Sequence, residues 1–101
     1  MGLNRYAKRR DITEPEIRAE LHRNGCWTFA LDKPLDLLCC DRGRLFLVEC
    51  KTEGGRLTLA QRDFFENEQL QHSIPAFVAD HIDDVPVILE RVRLHYVKTR
   101  A

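Results

Sequence analysis

Residues 35–51 read LDLLCCDRGRLFLVECK, two apolar runs separated by an Arg-Gly pair. The runs have the density of buried strands, and Arg42-Gly43 is a two-residue hairpin turn. A turn of that length fixes the register, because facing residues then have numbers that sum to 85. Leu38 faces Leu47 and Asp36 faces Glu49, while Leu37 and Cys39 project the other way with Val48 and Cys50. Lys51, two residues beyond Glu49, shares the Asp36 surface. Two acids and a base are thus gathered at one end of an otherwise apolar ribbon. Ionised groups are costly to take from water unless they are paired, bound to metal or part of a site. Whatever this chain folds into must solve that problem.

The surrounding pattern predicts one α/β domain. The chain has 101 residues, 44% of them hydrophobic and 32% charged, enough for one core. In TEPEIRAELHRNG, Thr13 and Glu16 have capping-box spacing, Pro15 suits a first turn, Ile17 and Leu21 mark an inward face, and Gly25 closes the helix. Cys26–Leu31 reads as a strand ahead of the hairpin. Thr58 can cap a helix through about Gln71, with Leu59, Phe64, Phe65 and Leu70 as core candidates. PAFVAD is a further buried strand, and Asp83 can cap a last helix over DVPVILERV. The order αβββαβα predicts a mixed β-sheet flanked by helices. Residues 1–12 form a basic arm in this reading, 13–92 the domain, and 93–101 a basic tail or terminal strand.

Net charge is zero, with 16 basic and 16 acidic residues, but both ends are cationic. Arg5, Lys8, Arg9 and Arg10 lie in a stretch without acids, as do Arg91, Arg93, Lys98 and Arg100. Such arms suit an anionic polymer such as nucleic acid, and equally serve solubility. No apolar run approaches the roughly 18 residues of a membrane span, and no secretory signal is expected. Cys26, Cys39, Cys40 and Cys50 lack C-x-x-C or zinc-type spacing, which favours free thiols and a reducing cytoplasm. His22, His72, His81 and His95 show no zinc spacing either. Gly54-Gly55 lacks the frame of a phosphate-binding loop and reads as a turn. Trp27 reads as a core residue rather than a base-stacking platform.

Two facing carboxylates repel, and a divalent cation resolves the conflict. Magnesium takes one or two carboxylates while keeping water for substrate phosphates, and manganese prefers similar oxygen ligands. A surface salt-bridge cluster is the plainer alternative, against which the apolar neighbours on both strands count. On the first helix Glu14 falls on the inward side with Ile17 and Leu21, Glu20 is adjacent to Ile17 but displaced from Leu21, and Glu16 is better explained by the capping box, so Glu14, then Glu20, then Glu16 are the candidates to complete the site. Gln61 shares a helix face with Phe64 and Phe65, where an amide needs a partner. Arg56 reads as a phosphate contact or as a solvated surface arginine.

Asp36 followed by Glu49-Cys50-Lys51 resembles the D…(D/E)-x-K signature of the PD-(D/E)XK nucleases. The continuation VECKTEGGRLTLAQRDFF is similar to the E-x-K, Gly-(Lys/Arg)-Leu-(Ser/Thr)-x-x-Gln run of the VRR-NUC branch, and the likeness spans roughly residues 13–90. It implies a restriction-endonuclease-like core and a Mg²⁺- or Mn²⁺-dependent endodeoxyribonuclease. It also implies a metal held by Glu14, Asp36, Glu49 and the Cys50 carbonyl, with Lys51 and Gln61 completing the catalytic set. Arg5, Lys8, Arg9, Arg10 and Arg56 are then nucleic-acid contacts. Compact members of this kind are associated with branched DNA, four-way (Holliday) junctions included, cut by homodimers. The alternative from another class is a non-catalytic nucleic-acid-binding module with a nuclease-like fold.

Overall fold

The Asp41–Arg44 turn has the geometry its two-residue length demands. Arg42 and Gly43 both take positive φ, +53° and +84°, the pattern of a type I′ turn whose twist matches the strands it joins. In the computed structural model β2 (Leu37–Asp41) and β3 (Arg44–Cys50) pair antiparallel, from Leu37 with Val48 to Asp41 with Arg44. Every pair sums to 85, as the turn predicts. The structure describes the backbone of residues 2–52 and 55–100, and the side chains of residues 13–52 and 55–98.

The remaining elements are α1 (Gly2–Arg23), β1 (Trp27–Ala30), α2 (Leu59–Glu66), α3 (Glu68–Ser73), β4 (Ala76–Ala79) and α4 (Asp84–Arg100). The four strands lie in sequence order, β1 antiparallel to β2 and β4 parallel to β3. This is a mixed α/β fold with helices on both sheet faces. On one face Ile17 and Leu21 of α1, with Val85, Ile88, Leu89 and Val92 of α4, bury Leu37, Cys39, Phe46, Val48 and Cys50. The i, i+3, i+4, i+7 spacing in α4 gives it the single apolar stripe that such packing needs. On the other face Phe64, Phe65 and Ile74 close over Leu35, Leu38, Leu47 and Ala76. Among the described residues no helix is long and apolar enough to cross a membrane.

The end of α1 follows its sequence. Gly25 takes φ +83°, its N–H donates to the His22 carbonyl at 3.0 Å, and Cys26 N–H donates to the Leu21 carbonyl at 3.0 Å. These are the two bonds of a Schellman stop, in which glycine is favoured at the left-handed position. The start of α1 differs from expectation. The helix begins at Gly2, so Thr13 lies inside it, buried, and Pro15 is an interior residue. Residues 3–12 contain no glycine or proline to break a helix, and the capping box at Thr13 is therefore not formed. The backbone of residues 2–12 is thus continuous with the rest of α1. The side chains of Arg5, Lys8, Arg9 and Arg10 lie outside the described residues.

Other boundaries also move. The helix capped by Thr58 ends at Glu66, because Asn67 is extended and accepts from Leu70 N–H at 3.0 Å, starting α3. Leu59 and Leu70 are exposed rather than core. The last helix, α4, opens at Asp84 directly after Asp83, as expected, and the Asp84 carboxylate ties down the Asp80 and His81 N–H groups at 2.9 and 3.2 Å. Residues 93–100 continue α4 instead of forming a tail or strand, since nothing in LHYVKTR interrupts a helix. Tyr96 from this last stretch donates to the Leu45 carbonyl, and Arg93 grips the buried Asp41 carboxylate at 3.0 Å.

Arg42 occupies the left-handed region without the amide or small side chain that suits it. Replacing Arg42 with Asn, the preferred partner of glycine in this turn, is expected to stabilise the fold by about 0.5–1 kcal/mol. Thermal unfolding followed by circular dichroism should show the midpoint rising by a few degrees; a fall would contradict the turn assignment.

Candidate functional site

Asp36 immediately precedes β2, Glu49 is the penultimate residue of β3, and they are 2% and 3% exposed. Each solves a backbone problem for the other. Asp36 N–H donates to Glu49 Oε1 at 3.2 Å, and Cys50 N–H donates to Asp36 Oδ2 at 2.9 Å. The hairpin ladder stops at Leu37–Val48, and beyond it two side-chain carboxylates accept the N–H groups that the next rung would otherwise leave buried. That exchange is what allows two acids to face each other inside the fold.

Glu49 Oε2 carries the rest of the network. Lys51 Nζ lies 3.1 Å from it, and Gln61 Nε2 donates to it at 2.8 Å. Lys51 is itself fixed at its backbone, donating N–H to the Ala79 carbonyl at 2.9 Å. Gln61 works at both ends of its amide. Its Oε1 accepts from Thr58 N–H at 3.0 Å while Thr58 Oγ1 accepts from Gln61 N–H at 3.2 Å, a capping box that starts α2. The partner that the Gln61 amide needs is Glu49.

These groups line an open cavity of about 310 Å³ with Asp32, Pro34, Thr52, Gly55 and Arg56 at its walls. Cys50 also lines it. Strand alternation sends the Cys50 side chain to the α1/α4 core, where it is buried, so its backbone is what borders the space. Gly55 was legible only as part of a turn. A Cβ there would lie 2.9 Å from the Thr52 carbonyl oxygen and 3.4 Å from Lys51 Cβ. The close approach of this loop to the lysine is a constraint that no motif announced. Asp32 and Thr52 likewise carry no signal, because their place depends on loops.

The helix glutamates divide clearly. Glu16 is exposed, and Glu20 bonds Arg23 and Asn24 on its own helix. Glu14 is half-buried and near enough to push up the Cys50 thiol with its charge. It does not join Asp36 and Glu49, however. Among the described residues no three His, Cys, Asp or Glu side chains form a metal-holding group. The reason is topological: α1 packs on the Cys50 side of the sheet, and the two strand acids project from the other side.

Burial dominates the electrostatics. It raises the Glu49 carboxyl above its ordinary value of 4.5, the Asp36 charge raises it further, and the Lys51 bond and charge oppose both. Burial also pushes the thiols of Cys26 and Cys39 up to about 11 and about 12, and that of Cys50 upward too. These are packed, unreactive thiols. The acid pair matches a hard divalent cation in chemistry: both donors are oxygens, and two carboxylates suffice for an ion that retains water. Comparison with models of known families, with curated proteins and with solved structures finds no significant match to this chain.

A carboxyl with a raised folded-state pKa favours folding while protonated. That contribution is fully present below about 4.5 and is lost as pH rises through the folded value. Asp36→Asn removes the repulsion while keeping an oxygen for Cys50 N–H. Its unfolding midpoint should exceed that of the unsubstituted chain at pH 7.5, by an amount corresponding to about 1 kcal/mol, and the gap should close near pH 4. A gap that is the same at both pH values would show that the two acids do not interact.

Proposed function

We propose that this chain is a metal-dependent DNA endonuclease with a restriction-endonuclease-like core of the VRR-NUC type. One observation carries the reading. Two buried carboxylates at the end of a β-hairpin share an open cavity with a lysine 3.1 Å from one of them. The cluster solves its own backbone hydrogen bonding and gathers two carboxylates about one ammonium group, an arrangement suited to a cation and a phosphodiester. The E-x-K spacing that built it is the same feature on which the family resemblance rests.

Asp36 and Glu49 would hold Mg²⁺ or Mn²⁺, with the Cys50 carbonyl bordering the same space. The ion, when bound, supplies a lowered pKa for water and stabilisation of charge on the phosphate. Lys51 stands beside Glu49, where its ammonium group can orient the attacking water or donate to a non-bridging phosphate oxygen. Gln61 keeps the Glu49 side chain in one rotamer, so that the carboxylate is positioned before substrate arrives. Arg56 at the exposed rim is the phosphate contact. Hydrolysis leaves a 5′-phosphate and a 3′-hydroxyl, as the resemblance implies. A twofold dimer would offer two such cavities to two strands of a branched DNA.

Asp36→Ala and Lys51→Ala should each lower Mg²⁺-dependent cleavage by at least about 100-fold, with DNA affinity in EDTA changed far less. The assay is cleavage of linear, flap and four-way-junction DNA in Mg²⁺ or Mn²⁺. Equal cleavage by either variant and the unsubstituted chain would remove the site, and DNA binding without cleavage of any substrate would favour a non-catalytic module. Gly55→Ala, which crowds Thr52 and Lys51, should cut the rate while shifting the unfolding midpoint only slightly.

A further inference from the structure

Trp27, read from sequence as core, is 53% exposed, and so is Phe29. The two alternate with buried Thr28, whose hydroxyl is held on the α1 side by His22 and Arg18 at 2.7 and 3.2 Å. Their rings stand together, centroids 5.9 Å apart and planes 22° from parallel. Burying these rings would remove a large apolar area from water, yet Phe64 and Phe65 of α2, with Ile74, pack on the cluster that includes Leu31, Leu38 and Leu47 and not the two rings. β1 is an edge strand, so the pair stands at the sheet margin.

Its position relates it to the cavity. Leu31 continues the same face as Phe29, and the chain then runs into Asp32 and Pro34, which wall the cavity. Asp32 lies three positions along the chain from Phe29, at most about 10 Å away. Exposed cations lie on the segments beyond each end of the pair, with exposed Asp32 among them. Arg42 lies exposed at the hairpin tip, beyond the Cys40 that pairs with Trp27, and exposed Lys33 and Arg56 lie toward the cavity. The nearest acid at the hairpin, Asp41, is buried and held by Arg93. Flat rings between cations match unpaired bases on a phosphate backbone, since stacking takes any base and the cations follow the strand.

We propose that Trp27 and Phe29 form a stacking platform for unpaired bases of a single-stranded nucleic acid segment whose backbone leads into the Asp36–Glu49–Lys51 cavity. The ligand class rests on the nuclease reading; the platform itself is a separate surface. A protein of this kind grips single-stranded or frayed DNA more tightly than blunt duplex, and selects for substrates with unpaired nucleotides beside the cut.

Trp27 is the chain's single tryptophan, so its fluorescence reports the platform directly. The full chain in EDTA is titrated with a single-stranded 15-nucleotide DNA and with a blunt duplex of equal length, and fluorescein-labelled copies give affinities by anisotropy. Saturable quenching by the single strand is expected. Trp27→Ala and Phe29→Ala should each weaken single-strand binding by about ten-fold, with duplex affinity changed by less than about two-fold, and Trp27→Phe should restore most of the loss. Binding without quenching, equal losses on both DNAs, or no binding of the single strand would each overturn the proposal. So would sedimentation showing that Trp27→Ala converts a dimer to a monomer, which would make the surface a contact between copies. Cleavage without quenching sinks the platform alone; quenching without cleavage sinks the nuclease reading and leaves the platform standing.

Discussion

The structure depends on the exchange of two N–H groups between opposed acids. Asp36 N–H reaches Glu49, and Cys50 N–H reaches Asp36. Without those bonds the last rung of the β2–β3 ladder would leave buried donors, each costing about 1–3 kcal/mol. With them, the hairpin ends in a polar cap built from the same atoms that face the cavity. The usual separation between residues that stabilise and residues that act is therefore blurred here. Both acids hold the sheet end together and both carry the charge that gives the cavity its chemistry.

Much of this is legible in the sequence. A two-residue turn permits one register, and that register placed Asp36 against Glu49 and sorted Leu37, Cys39, Val48 and Cys50 onto the opposite face, as observed. Ile17, Leu21 and Gly25 did what their spacing implies. The sequence was informative there because each inference involved neighbours along one strand, one turn or one helix. The inferences that failed crossed between elements. Glu14 is on the inward face of its helix, but inward means toward the Cys50 side of the sheet, and no periodicity within α1 reveals which face of a distant sheet it will cover.

Boundaries failed for a related reason. The capping pattern at Thr13 is real as a pattern, yet nothing upstream disfavours a helix, so α1 passes through it. Asn67 reads as an ordinary helix residue until its side chain is seen to bond Leu70 N–H and divide one helix in two. Trp27 was assigned to the core by the habits of its residue type, whereas β1 lies at the sheet edge and α2 and α3 are too short to reach across it. Composition speaks to whether a residue wants burial; topology decides whether there is anything to bury it.

Gln61 joins two structures that are usually independent. One carboxamide closes the first turn of α2 and, from its other atom, clamps Glu49. Fraying at the beginning of that helix would thus unclasp an acid on a different element, and displacement of the acid would loosen the helix in return. The competence of the cavity is tied to a local helix–coil equilibrium, and amide exchange at Gln61 would report on both at once.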